Sequence, residues 1–155
     1  MKKIGVVDTT FARVDMGKIA LDTLKNSKHK FKIEHTTVPG IKDLPVACKK
    51  LIEEKKCDIV LALGMPGPAA IDETCAHEAN LGIMWAQLLT NTHILGVFVH
   101  ESEVKSNEEL KKVTIDRVSK HALNAVDMIF SPQTLKENAG KGKRQGYSDK
   151  EFIKV

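Results

Sequence analysis

The run DIVLALG at residues 58–64 decides the fold class, because it is short, almost wholly apolar and closed by a glycine. A strand covered on one face alternates polar and apolar residues, whereas a strand inside a parallel sheet is apolar throughout. The run HILGVFVHE at 93–101 has the same character. Two further strand-like segments precede them at nearly even spacing, KIGVVD at 3–8 and FKIEHTTV at 31–38. Together the four segments predict a four-stranded parallel sheet.

Helical patterns separate and follow these strands. Apolar residues recur every three or four positions in four stretches: Met16, Ile19, Ala20 and Leu24; Leu44, Ala47, Cys48, Leu51 and Ile52; Leu81, Met84, Trp85 and Leu88 within about 73–89; and Leu110, Val113, Val118, Ala122, Ala125 and Ile129 within about 107–130. The resulting order βαβαβαβα calls for right-handed crossovers. It predicts a flavodoxin-like three-layer α/β fold with helices on both faces of the sheet.

Composition indicates one globular domain. The 155 residues are 42% apolar and 28% charged, and no apolar run is long enough to span a bilayer. The N-terminal apolar stretch is too short for a secretory signal, so we expect a cytoplasmic protein without a membrane partner. We expect residues 1–135 to form a single α/β catalytic domain. Residues 136–155, rich in Lys and Gly, are predicted to be either a mobile tail or an arm that orders on a neighbouring subunit.

Charge and cysteine content exclude several function classes. The net charge of +4 arises largely in the C-terminal tail, which has six basic and three acidic residues. With only 5% aromatic residues, a nucleic-acid partner is not expected. The three cysteines are odd in number and lack any metal-ligand spacing, so we predict buried free thiols and no metal site.

Ligands of open α/β sheets gather at the carboxyl ends of the strands, so the informative residues follow each strand. After the first strand, Thr9 and Thr10 precede Phe11, which would either stack on a flat ring or cap the core. After the second, VPG at 38–40 predicts a rigid turn. Asp43 then stands at a helix start, where a carboxylate serves either as a cap or as a ligand contact.

The third and fourth strands lead into further polar residues. The bend MPGP at 65–68 is stiff but matches neither phosphate-binding glycine motif. His77 is predicted in the first turn of the next helix, either as a structural residue or as a proton-transfer group. His100, Glu101 and Glu103 crowd the end of the fourth strand, where a solvated rim is the simpler interpretation.

Four ordered segments resemble the lumazine synthase superfamily, most closely its archaeal-type riboflavin synthase branch. They are GVVDTTFARVDMG, VPGIKDLPVA, DIVLALGMPGPAAIDETCAHEANLGIMW and HILGVFVHESE, within about residues 3–132. The resemblance implies that Phe11 stacks on the heterocycle, Ile41 contacts the ring and Asp43 holds ribityl hydroxyls. It also implies a pentamer in which the fourth strand closes the site of a neighbouring subunit. The substrate-binding residues that we predict are Thr9, Thr10, Phe11, Ala12, Gly40, Ile41, Lys42, Asp43, Met65, Pro66, Gly67, Val97 and Phe98.

The chain also departs from the lumazine synthase pattern. It lacks that family's R-G-x-T-x-H segment and the Arg and Asn-Lys-Gly residues that bind the phosphate of a four-carbon substrate. This loss fits a riboflavin synthase, whose two substrates are both unphosphorylated 6,7-dimethyl-8-ribityllumazines. His77 is the first candidate for proton transfer, followed by Glu101 and His100. No cofactor is expected to be required, with Mg²⁺ as an optional activator. The alternatives are a lumazine synthase and a non-catalytic flavodoxin-like module.

Overall fold

A computed structural model describes residues 1–155 and contains one sheet of four parallel strands in the order β2-β1-β3-β4. Short 3-10 turns at Ile41–Asp43 and Glu101–Glu103 follow β2 and β4. None of the helices is both long and apolar enough to cross a membrane. The elements are β1 Lys3–Thr9, α1 Met16–Lys25, β2 Lys32–Val38, α2 Leu44–Glu53, β3 Ile59–Gly64, α3 Ala70–Thr90, β4 Ile94–Phe98, α4 Asn107–Phe130 and α5 Pro132–Asn138.

The core forms two layers on either side of the central strands. Every residue of β3 is buried, which its apolar run predicted. On one face Leu61 and Leu63 pack with residues of α1 and α4, and on the other Val60 and Ala62 pack with residues of α2 and α3. Alternate side chains of a strand point to opposite faces, so one apolar strand serves both layers. The predicted three-layer α/β fold is confirmed.

Strand β4 differs from the prediction of a strand buried on both faces. It lies at the edge of the sheet and pairs only with β3. Ile94 and Val97 are buried, but Leu95, Gly96 and Phe98 remain partly or fully exposed. A continuous apolar run therefore does not by itself distinguish a central strand from an edge strand whose other side is uncovered.

Helix α3 packs through its small residues rather than its large ones. Its inner face is formed by Ala76, Ala79, Ile83 and Ala86, all of which are buried. At Gly82 an added Cβ would lie 2.7 Å from Cγ of Pro45, so α3 and α2 approach closely. The large residues that marked the helix in the sequence form an outer stripe, exposed by 41% to 80%: Leu81, Met84, Trp85 and Leu88.

The start of α3 also differs from the prediction. The helix begins at Ala70 rather than near Glu73, because Asp72 reaches back and accepts a hydrogen bond from the N–H of Ala69 at 3.1 Å. A carboxylate at this third helical position satisfies an amide that the helix itself leaves free. His77 consequently lies in the second turn, not the first.

The C-terminal segment makes contacts with its own chain. Helix α5 spans the boundary that we drew after residue 135. Beyond it, the N–H of Gly146 donates to Asp116 of α4 at 2.8 Å. The ring of Tyr147 lies 5.1 Å from the guanidinium carbon of Arg117 and 5.2 Å from that of Arg144.

Candidate active site

The loops after β1, β2 and β3 enclose a cleft of about 260 Å³ at the carboxyl edge of the sheet. Its lining contains seven of the predicted substrate-binding residues together with two residues of α3. The lining residues are Phe11, Gly40, Ile41, Lys42, Asp43, Pro66, Gly67, Asp72 and Cys75. The structure therefore brings together three segments that are distant in sequence.

Hydrogen bonds fix the first loop of this cleft against the second. The N–H of Thr10 donates to the carbonyl of Val38 at 2.9 Å, and the N–H of Phe11 donates to that of Pro39 at 3.2 Å. The hydroxyl of Thr10 donates to the same Pro39 carbonyl at 3.2 Å. Phe11 itself is 57% exposed. Its ring is thus presented at the cleft by a backbone whose Thr10 and Phe11 N–H groups are both bonded, and it does not cap the core.

Asp43 caps the 3-10 turn Ile41–Asp43 rather than the helix α2 that follows it, and it also lines the cleft. Its Oδ2 accepts a hydrogen bond from the N–H of Gly40 at 3.2 Å, which closes the turn after β2. No hydrogen bond involves Oδ1. A carboxylate accepts through both oxygens, so the cap leaves one oxygen available to a ligand hydroxyl.

Lys42 and Cys75 both line the cleft and lie next to each other. The ammonium of Lys42 pairs with the carboxylate of Glu78 on α3, and this hydrogen bond, followed by the neighbouring Cys75, raises the pKa of Lys42. Glu78 was not among the predicted site residues, since nothing local signals a pair between residues 36 positions apart. The prediction of three buried thiols is wrong for Cys75, which is partly exposed, while Cys48 and Cys57 are buried.

In addition to Thr10, five predicted residues support the cleft without lining it. Thr9 and Met65 are buried, and they accept hydrogen bonds from the N–H groups of Ala12 and Arg13 respectively, at 3.3 and 3.4 Å. Val97 belongs to the hydrophobic core. Phe98 packs against the core layer on the opposite face of the sheet, and Ala12 packs against the core layer that contains Val97. A substrate could reach the buried members of this group only through their backbone atoms.

The bend at 65–69 offers fewer backbone donors than its length suggests. Pro66 and Pro68 have no N–H, and the N–H of Ala69 is bonded to Asp72. Asp72 packs so closely on the bend that a Cβ on Gly67 would lie 2.6 Å from its Oδ2. The N–H of Gly67, which lines the cleft, is therefore the backbone donor that this bend offers to a ligand.

Two of the three predicted catalytic residues, His77 and His100, line a second, wider depression of about 510 Å³ on the other side of the start of α3. It is lined by Glu73, Ala76, His77, Asn80, His100, Ser102 and Glu103 and shares no residue with the cleft. His77 and His100 are thus brought together, and Nδ1 of His100 is buried without a hydrogen-bond partner. Within one chain, however, neither histidine lines the cleft that contains Phe11.

Glu101 lies between the two depressions. Its carboxylate pairs with Arg13 of the first loop, and its N–H donates at 3.1 Å to the carbonyl of Pro66, which lines the cleft. Arg13 also donates to Asn107 at the start of α4, at 2.7 Å. The carboxylate of Glu101 is consequently held by an arginine before any ligand binds.

A family model described as 6,7-dimethyl-8-ribityllumazine synthase matches residues 1–133. The chain belongs to this family. It is similar to a protein named riboflavin synthase from Methanothermobacter thermautotrophicus, with 57% identity over 96% of this chain and 97% of that protein. Proteins of the same name from Archaeoglobus fulgidus (47% identity, 95% of each chain) and Aeropyrum pernix (42% identity, 99% of each chain) also align. The predictions of the family, of an enzyme and of riboflavin synthase function are confirmed.

In this member of the lumazine synthase family, the guanidinium of Arg117 is engaged in hydrogen bonds with other groups of the same chain. Its guanidinium donates to both oxygens of Glu103, at 2.7 and 2.9 Å, to the carbonyl of Phe98 at 3.0 Å and to that of Gln145 at 3.3 Å. Lys120 pairs with Asp116 at 3.0 Å. Burial and the charge of Arg117 both lower the pKa of His121. These three residues therefore do not form a free anion site.

Cys75, which lines the cleft, should be the reactive cysteine of this protein. Burial raises the pKa of Cys48 to about 12 and that of Cys57 to about 11, so neither supplies thiolate near neutral pH. We expect 5,5′-dithiobis(2-nitrobenzoic acid) to titrate one thiol in the native protein and all three in denaturant. Cys75→Ser should abolish the native reaction, and a full equivalent still released by that variant would contradict the assignment.

The Glu103–Arg117 pair should make stability depend on pH in the acid range. Burial raises the pKa of Glu103, but hydrogen bonds from Arg117 and Tyr147 outweigh it and hold this pKa at about 2. A depressed folded-state pKa contributes stability that is complete above the ordinary carboxyl pKa and is lost as pH falls towards 2.

We therefore expect Glu103→Gln to reduce the free energy of unfolding at pH 7 by roughly 2–3 kcal/mol. The difference from the unsubstituted protein should shrink steadily below about pH 4.5, measured by urea denaturation. Glu108→Gln, at an exposed position of α4, the helix that contains Arg117, is the matched control. An equal loss at pH 7 and pH 2.5 would show that the ion pair is not the cause.

Proposed function

We propose that the chain carries out the riboflavin synthase reaction by holding two molecules of 6,7-dimethyl-8-ribityllumazine in one site. One lumazine donates a four-carbon unit to the other, which yields riboflavin and 5-amino-6-ribitylaminouracil. The two products contain all the atoms of the two substrates, so the reaction needs no further reactant. The observation that carries the proposal is the cleft in which Phe11, Ile41 and Asp43 converge, in a chain similar over its length to proteins of that name.

The cleft residues have the chemistry to hold a ribityl-substituted ring. Exposed Phe11 offers a stacking face, which contributes about 0.5–1.5 kcal/mol beyond its buried area. The free Oδ1 of Asp43 would accept from a ribityl hydroxyl, and the N–H of Gly67 would donate to a pyrimidine carbonyl. Orienting two flat reactants in this way can lower a barrier by about 7–11 kcal/mol. Positioning is thus the larger part of the proposed mechanism.

Proton transfer is assigned to the second depression. The 7-methyl group of one lumazine must lose a proton, and its carbanion is stabilised by delocalisation into the ring. His77 and His100 both line the depression, and imidazole is the side chain that most often serves as general acid or base in proteins. Glu101 is the third candidate, although its pair with Arg13 must loosen before it can accept a proton.

A complete site would combine two copies of the chain. The cleft and the histidine depression are separate within one chain, β4 leaves a sheet edge uncovered, and the outer stripe of α3 exposes large apolar side chains. Exposed apolar stripes of this kind are typical of protein interfaces. These features support a homo-oligomer in which the β4 end of one copy meets the cleft of the next, and the family resemblance favours a pentamer. We also propose that the protein is cytoplasmic and requires no cofactor.

The lumazine synthase alternative would require a phosphate site. Arg117 lies in α4, and its guanidinium is engaged by Glu103 and by two backbone carbonyls, one of them that of Phe98 at the end of β4. A phosphate would have to displace a carboxylate that is already bound in bidentate geometry. This internal pair favours the unphosphorylated substrate. The non-catalytic module is favoured by no feature of the structure.

The deciding experiment supplies the purified protein with 6,7-dimethyl-8-ribityllumazine alone and follows riboflavin by absorbance. We expect riboflavin to form in the presence of EDTA, and a higher rate with added Mg²⁺ would identify this ion as the optional activator. A parallel reaction with 5-amino-6-ribitylaminouracil and a phosphorylated four-carbon ketone tests the alternative. Product in that reaction only would identify a lumazine synthase, and absence of product from both would favour the module.

Substitution of Asp43 tests the ribityl anchor. Asp43→Ala should raise KM by roughly tenfold, because a hydrogen bond to a charged group is lost, with a smaller effect on kcat. Asp43→Asn can still accept from Gly40, so it separates the cap from the ligand contact. Asp22→Ala, on the exposed side of α1, is the control. Protection of Cys75 from labelling by the lumazine provides a binding readout independent of turnover, and unchanged binding to Asp43→Ala would mean that the anchor lies elsewhere.

A further inference from the structure

Residues 142–150, here called the strap, form a closed loop after α5. The N–H of Lys150 donates to the carbonyl of Gly142 at 2.9 Å. Inside the loop, Asp149 accepts from the N–H of Arg144 at 3.0 Å and from the ammonium of Lys143 at 3.2 Å. The strap therefore has its own backbone closure and does not depend on α5 for its shape.

Gly146 allows the strap to lie directly on α4. Its φ is +90°, a conformation that other residues adopt rarely. A Cβ at this position would lie 2.4 Å from Nε of Arg117. The N–H of Gly146 donates to Asp116 at 2.8 Å, and the carbonyl of Gln145 accepts from Arg117 at 3.3 Å. Position 146 thus requires a glycine both because of its positive φ and because of its close approach to the guanidinium.

A short chain of hydrogen bonds connects the strap to the histidine depression. The hydroxyl of Tyr147 donates to Oε2 of Glu103, while the ring covers the guanidinium of Arg117. Oε1 of the same Glu103 accepts from the N–H of His100 at 2.9 Å. Arg117 donates to Glu103 and to the carbonyl of Phe98, two residues before His100. A single carboxylate therefore separates Tyr147 from the backbone of His100.

We propose that the strap positions His100 through Glu103, which makes Tyr147 a positioning residue for the reaction; this inference rests on the proposed function. Loss of the Tyr147 hydroxyl removes one of the donors that fix Glu103 in place and exposes the Glu103–Arg117 pair to water. Screening by water weakens the pair, and the turn at Glu101–Glu103 gains freedom. The Phe11 cleft has no contact with the strap and keeps its shape.

The test compares two variants that each remove one hydroxyl from the strap. Tyr147→Phe keeps the ring on Arg117 but loses the bond to Glu103, and Ser148→Ala removes an exposed hydroxyl that has no partner. For Tyr147→Phe we expect kcat to fall about 3- to 10-fold, equivalent to roughly 0.7–1.4 kcal/mol, with KM nearly unchanged. Amide hydrogen exchange at residues 99–104 should accelerate, while exchange at residues 9–12 should not. Ser148→Ala should change neither quantity.

Gly146→Ala provides a second variant that lifts the strap sterically and should act in the same direction with a larger effect. Acceleration of exchange without a fall in kcat would overturn the positioning role, and so would unchanged exchange in both variants. A lower melting temperature with unchanged kcat well below it would reduce the strap to a stabilising element. If the unsubstituted protein forms no riboflavin, the exchange measurement still decides whether the strap holds His100, so failure of the proposed function is distinguishable.

Discussion

The parallel alignment of β1 and β3 at the centre of the sheet is the constraint on which the rest of the molecule depends. Both strands are almost wholly buried, so each crossover must cover a face with a helix and return the chain to the same edge. The carboxyl ends of the strands consequently meet at one edge. This geometry, rather than any local motif, brings Phe11, Asp43 and Gly67 to the walls of one cleft.

Helix α3 converts this edge into two separate sites. Its buried face of small residues lets it approach α2 and the sheet, which places its first turns between the cleft and the histidine depression. Asp72 and Cys75 then face the cleft, and Glu73 and His77 face the depression. The same helix carries an exposed apolar stripe. Helix α3 therefore separates the two depressions within one chain and also provides a surface for the proposed assembly between chains.

The Glu103–Arg117 pair illustrates how an ion pair can matter more for geometry than for stability. Desolvating two charges offsets much of their attraction, so such pairs contribute modestly to folding although removal of one partner is costly. Here the pair joins the end of β4, the following turn, α4 and the strap through short hydrogen bonds. It also satisfies an arginine that would otherwise attract an anion. One interaction therefore bears on both substrate choice and the position of His100.

The sequence by itself determined the four strands, the inner faces of α1, α2 and α4 and the loops that carry the cleft. Strand and helix periods are local properties, and loop positions follow from them. It also determined the family, because the loop segments occur in a fixed order.

Only the tertiary structure decided which side of α3 is buried, since small and large apolar residues have the same helical period and packing distance selects between them. It likewise decided the pairs Lys42–Glu78 and Arg117–Glu103, and the contact between Tyr147 and Glu103. Each of these joins separate elements of the fold. Their partners are chosen by the three-dimensional path of the chain, which no local pattern records.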